Sequence, residues 1–101
     1  TGLILRIGDF ITSSIFCFMK NNDLQTFGIK YIEMNLSVIQ CMQESFAHNF
    51  MNKIEEYGIS PDMLNLEITE TATTNSPKVL IKNINLLLNY FRKSLLARLM
   101  C

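Results

Sequence analysis

Two side chains with oxygen donors, Asn35 and Glu67, stand near the carboxyl ends of short runs in which apolar and polar residues alternate. Ile32, Met34 and Leu36 point one way, and Tyr31, Glu33, Asn35 and Ser37 the other. Leu64, Leu66 and Ile68 alternate in the same way with Asn65, Glu67 and Thr69. In parallel α/β proteins, functional side chains project from the carboxyl ends of strands. If the two runs are neighbouring strands, a carboxamide and a carboxylate converge, and such oxygen pairs suit a hard divalent cation. Each residue also has an ordinary structural role open to it. Asn is frequent in caps and turns. Glu67 lies between Leu66 and Ile68, where a carboxylate is expensive to bury alone, so a cation or basic group is expected beside it. Glu70, just past the second run, could bond loop amides or the start of the next helix. Glu33 could pair with Lys30 or face the lumen of a barrel.

The other reactive residue types form no constellation. His48 has no second ligand at helical spacing and no nearby nucleophile, so it reads as a surface or helix-packing histidine. Cys17, Cys41 and Cys101 are too scattered for a disulfide framework and make no CxxC pair, which points to a reducing, cytoplasmic setting. The six methionines read as core filling. Lys78, Lys82, Arg92, Lys93 and Arg98 form a basic tail whose simplest reading is a solvated helix face, and no glycine-rich phosphate loop occurs.

The elements that must position Asn35 and Glu67 follow from periodicity. Leu3, Ile7, Phe10, Ile11, Ile15 and Phe18 predict an amphipathic helix over about residues 3–20 that buries this stripe and ends at Asn21-Asn22. Ser37 and Gln40 have capping-box spacing and open a second helix predicted to run to Tyr57, with its stripe on Phe46, Ala47, Phe50, Met51, Ile54 and Tyr57. Gly58 and Ser60-Pro61 stop it. Ser76 and Pro77 open a third, with Leu80, Ile84, Leu87, Leu88, Phe91 and Leu95 as its stripe. No Gly or Pro interrupts this helix before about Leu99. The order α-β-α-β-α, with two parallel strands, belongs to the α/β class.

Composition bounds the partners. A chain of 101 residues makes one domain. Nine basic and nine acidic residues give no net charge, so neither a nucleic-acid polymer nor an anionic membrane is drawn by an overall field. The balance is uneven along the chain: residues 1–70 hold four basic and nine acidic side chains, and residues 71–101 five basic and none acidic. The apolar run Phe10–Met19, broken by Thr12, Ser13 and Ser14, falls short of the ~20 residues a membrane span needs, and Asp9 interrupts a signal-peptide pattern. A first residue of Thr rather than Met reads as a processed or excerpted piece.

Asn35-Leu36-Ser37, followed about thirty residues later by Leu66-Glu67-Ile68-Thr69-Glu70, resembles the EAL domain family of bacterial cyclic-di-GMP phosphodiesterases. Gly2, Ile4, Ile7 and Gly8 look like the helix that precedes the family's Asn-bearing strand, and Gly58-Ile59-Ser60-Pro61 matches the stop before its Glu-bearing strand. The likeness covers roughly residues 1–90. It implies a TIM-like (β/α) barrel that opens one phosphodiester bond of cyclic-di-GMP with Mg²⁺ or Mn²⁺. On that resemblance Asn35 and Glu67 would be metal ligands and Glu70 a supporting residue. The family's Glu-Ala-Leu strand would lie upstream of Thr1, and its Asp-Asp-Phe-Gly-Thr-Gly segment does not follow the third helix; residues 91–101 read instead as a helical tail foreign to the family. The resemblance therefore implies a barrel fragment with cyclic-di-GMP as the complete domain's partner, an incomplete catalytic set, no turnover alone, and exposed edges open to self-association. Its alternative is a degenerate EAL module that binds cyclic-di-GMP or a protein without catalysis.

Overall fold

The structure, a computed structural model, describes the backbone of residues 2–69 and 78–100 and the side chains of residues 2–68 and 78–93. The elements are α1 (Gly2–Asn21), β1 (Ile32–Ser37), α2 (Val38–Cys41), α3 (Phe46–Glu56), a 3-10 turn (Pro61–Met63), β2 (Leu64–Thr69) and α4 (Lys78–Met100). The expected mixed α/β order is present, with β1 and β2 parallel and adjacent. The helix expected past Tyr90 is also there, since α4 runs unbroken to Met100. Its expected cap at Ser76-Pro77 lies outside the described residues.

Local chemistry explains most of the boundaries. Asn22 Nδ2 donates to the Phe18 carbonyl at 2.9 Å and closes α1. The capping box is formed: Ser37 Oγ accepts from the Gln40 amide at 3.1 Å, and Gln40 Oε1 accepts from the Ser37 amide at 2.9 Å. At the end of α3, Gly58 takes φ +68°, the left-handed region that glycine enters without a Cβ penalty. That turn lets the Ile59 amide reach the Ile54 carbonyl at 2.9 Å and the Gly58 amide reach Glu55 at 3.1 Å, a Schellman closure joining two buried isoleucines.

Two expectations are corrected. The helix expected from Ser37 to Tyr57 is broken between Cys41 and Phe46. No glycine or proline marks the break; the cause is Asn83 on α4, buried to 1% exposure. Its Nδ2 donates to the carbonyls of Cys41 at 2.7 Å and Gln43 at 2.8 Å, and its Oδ1 accepts from the Ala47 amide at 3.2 Å. One side chain thus serves the orphaned carbonyl end of α2 and the orphaned amide end of α3. The second correction concerns α1. The stripe Leu3, Ile7, Phe10, Ile11 and Phe18 is exposed and Ile15 only half-buried, while Thr12, Phe16 and Met19 are the buried residues. Phe16 meets Phe50 and Tyr57 edge-on, with ring centroids 5.6 and 6.0 Å apart. Gly8 lies near that packed face, where an added Cβ would meet the Gln40 side chain, so glycine lets α1 approach α2 without displacing it. A helix apolar on both faces can bury either, and the small residue picks the one that seats.

The core gathers Phe16, Met34, Leu36, Cys41, Phe50, Ile54 and Leu87 on one side of the two-stranded sheet. Of the third helix's expected stripe, Leu80 and Leu87 are buried and Ile84 and Phe91 half-buried, whereas Leu88 is exposed and the Leu95 side chain lies outside the described set. Met19 and Met34 fill the core as expected, and Met42 is exposed. By length and composition α1 is apolar enough to cross a membrane, although the run Phe10–Met19 alone is too short.

Candidate functional site

The parallel register sets Glu33 beside Asn65, Asn35 beside Glu67 and Ser37 beside Thr69. Adjacent strands lie about 4.8 Å apart and partners in register point to the same face, so the Asn35 and Glu67 side chains start side by side. Both are exposed, as are Glu33 and Asn65, while Met34, Leu36 and Leu64 turn into the core. The sheet therefore has an apolar face covered by helices and an open polar face. Two carboxylates and two carboxamides occupy the open face diagonally, each carboxylate beside a carboxamide of the other strand, which keeps the like charges apart.

Ser37 shares the parity of this row, but its hydroxyl is taken by the Gln40 amide. Its capping role fixes where β1 gives way to α2, two residues beyond Asn35. Sequence parity identified Asn35 and Glu67 correctly as neighbours. Glu33 and Asn65 complete the same surface, and their alternation signal was equally visible.

Glu67, expected to be buried beside a basic partner, has an exposed side chain, so its carboxylate needs none. Among the described residues the ion pairs are Lys53 with Asp9 at 4.0 Å and Lys82 with Glu44 at 3.8 Å, so Glu33 does not pair with Lys30. The open face is thus negative and uncompensated by any described ion pair. Two oxygen donors of this kind suit Mg²⁺ or Mn²⁺ but supply only part of an octahedral shell. Among the described residues no group of three or more His, Cys, Asp or Glu is placed to hold a metal ion. Glu70 lies outside the described residues.

Comparison with protein-family models, with curated proteins and with solved structures returned no match.

The remaining candidates are set apart from this face. His48 is exposed on α3. Lys78, Lys82, Arg92 and Lys93 are exposed along α4, in keeping with a solvated helix face, and the Arg98 side chain is outside the described set. Cys17 is free and exposed; Cys41 is free and buried, and burial pushes its thiol up to about 11. A high pKa keeps a thiol protonated and unreactive. An apolar groove of about 390 Å³ runs between β2 and α4, lined mainly by Leu64, Leu66, Ile68, Ile84, Leu88 and Phe91. Asp62 and Asn65 are the polar residues of its lining.

Proposed function

We propose that this chain is a segment of an EAL-type cyclic-di-GMP phosphodiesterase and that Asn35 and Glu67 are two of its oxygen ligands for Mg²⁺ or Mn²⁺. The observation carrying this reading is the register that pairs Asn35 with Glu67 on the uncovered face, near the carboxyl ends of two parallel strands. In a (β/α) barrel that end of the strands is where catalytic groups gather. The helices on the opposite face, and the apolar groove along β2 and α4 where a further strand would lie, support a barrel segment. A closed barrel takes about 250 residues, so two strands carry only part of a site.

A bound divalent cation supplies positive charge to a phosphodiester and lowers the pKa of water. This chain's share is to present one carboxylate and one carboxamide from adjacent strands, spaced by the sheet rather than by a flexible loop. A second reading is binding without hydrolysis, since among the described residues no group of three or more His, Cys, Asp or Glu is placed to hold a metal ion.

Calorimetric titration with Mn²⁺ and an assay for linear dinucleotide test the proposal together. The isolated chain should bind Mn²⁺ weakly, lose about tenfold in affinity on Glu67→Gln, and release no linear product above a heat-killed control. Supplying the other strands of an EAL barrel should restore hydrolysis that depends on both Asn35 and Glu67. Cyclic-di-GMP binding that persists in the completed barrel without product supports the second reading. Mn²⁺ binding indifferent to both residues overturns the metal-site assignment.

A further inference from the structure

The exposed face of α1 carries large apolar side chains that the core does not cover. Leu3, Ile7, Phe10, Ser14, Cys17 and Asn21 follow one another in alternating steps of four and three residues, and Ile4, Ile11 and Phe18 recur at steps of seven beside them. Steps of three and four residues place all of these side chains on one side of the helix, so they form one continuous face. All nine residues are exposed, and the six large apolar ones retain between 45% and 71% of their surface. At roughly 200 Å² for a fully exposed large apolar side chain, this leaves about 650 Å² of apolar surface on one face of one helix. Stable interfaces take about 800 Å² from each partner, so this seam alone supplies most of one.

We propose that α1 is the interface of a homodimer, in which the same seam of a second copy packs against it antiparallel about a two-fold axis between Phe10 and Ile11. That arrangement sets Leu3 against the partner's Phe18, Ile4 against the partner's Cys17, Ile7 against the partner's Ser14, and Phe10 against the partner's Ile11. Ile4 and Ile7 then meet the smaller Cys17 and Ser14 of the partner, and Leu3 and Phe10 meet large side chains. A parallel pair would stack Phe10 on the partner's Phe10 and Ser14 on the partner's Ser14, crowding one level and leaving the other loose. Antiparallel helices also bring opposite dipole ends together.

A lipid surface fits less well. The helix carries only Arg6 and Lys20 as basic residues, with Asp9 between them, whereas helices lying on anionic membranes are rich in Lys and Arg on their polar face. Spanning is incompatible with this fold, because Phe16 and Met19 are packed into the core on the other side of the helix. The dimer does not depend on the metal site, since α1 contributes nothing to the open face of the sheet.

Sedimentation equilibrium of the full chain should give a mass near twice its 11.6 kDa, and Phe10→Glu should return it to a single chain. Phe10 is 71% exposed, so the helical circular dichroism of that variant should be unchanged. In a Cys101→Ser background, adding Ile4→Cys should let mild oxidation bond the new thiol to the partner's Cys17. Covalent dimer should then rise about tenfold over Cys17 alone, because a disulfide forms only between close, aligned Cβ atoms. A single-chain mass at every concentration overturns the interface. Efficient Cys17-to-Cys17 bonding without the added thiol overturns the antiparallel arrangement. Co-sedimentation with phosphatidylserine vesicles that Phe10→Glu abolishes, with no dimer in solution, assigns the face to lipid instead.

Discussion

Asn83 and Asn35 carry the same carboxamide into opposite surroundings. Asn83 is 1% exposed, and its amide serves three backbone partners across the ends of two helices. Asn35 stands on the open face of the sheet beside Glu67, exposed and outside the hydrogen-bonded network of the core. A buried amide must satisfy its donors and acceptor or destabilise the fold, so its partners reveal a structural role. A polar side chain on an uncovered strand is under no such demand, and its partners can be a ligand. Asn83 on α4 therefore has a structural role, and the proposed ligand role falls to the exposed face of the sheet.

The largest effect should come from breaking the first of these. Asn83→Leu removes both donors and the acceptor and strands the buried Cys41 carbonyl, the part-buried Gln43 carbonyl and the buried Ala47 amide, which should cost about 3–5 kcal/mol. For a chain of this size the melting temperature should fall by more than about 12 °C. Asn83→Asp keeps the shape but turns an oxygen toward the Cys41 and Gln43 carbonyls, so a loss as large would assign the effect to hydrogen bonding rather than to packing. A change below about 1 kcal/mol in either variant would mean the break between α2 and α3 stands without Asn83.

A smaller effect sharpens the same region. Cys41, whose carbonyl Asn83 holds, has its thiol raised by burial from 9.0 to about 11. Below pH 9 the thiol is protonated folded or unfolded and contributes no pH dependence. Between about pH 9 and 11 the unfolded chain gives up the proton and the folded chain keeps it, so stability should fall by roughly 2–3 kcal/mol as pH rises. Tyr90 adds to the fall with the same sign, because burial first, then the Glu55 charge and its hydrogen bond, raise the phenol above 10.0. Urea midpoints from pH 8 to 11 on wild type and Cys41→Ala separate the two, and an unchanged slope in Cys41→Ala would remove Cys41 from the account.

The division between the two regions was unequally legible in the sequence. A period of two lets a strand declare both faces at once, so Asn35, Glu67 and their shared parity could be read directly. The capping box at Ser37 and Gln40 and the glycine stop at Gly58 were legible because each has one local geometry to satisfy. Asn83 was not, since a single polar residue beside Leu80, Ile84 and Leu87 looks like the rim of a helix face. Its demand comes from carbonyls some forty residues away, at Cys41 and Gln43. The packed face of α1 was hidden differently: apolar residues surround that helix, and only Gly8, small where Gln40 presses, distinguishes the side that enters the core.

The smallest stability effect belongs to the open face and decides whether the comparison holds. Asn35→Ala and Glu67→Gln should each move the unfolding free energy by less than about 0.5 kcal/mol, as exposed positions without structural partners do. Glu67→Gln could raise it by a few tenths of a kcal/mol by relieving repulsion from the diagonal Glu33. The same substitutions should lower Mn²⁺ affinity, and not additively. If both side chains hold one ion, losing Glu67 already forfeits most of the binding, so adding Asn35→Ala should cost less than it does alone. Four titrations close that cycle. Strict additivity would mean that the two residues act on separate ions or not at all. A stability loss above about 1 kcal/mol from Asn35→Ala, of the size expected for a lost cap, would place Asn35 with Asn83 as a structural amide.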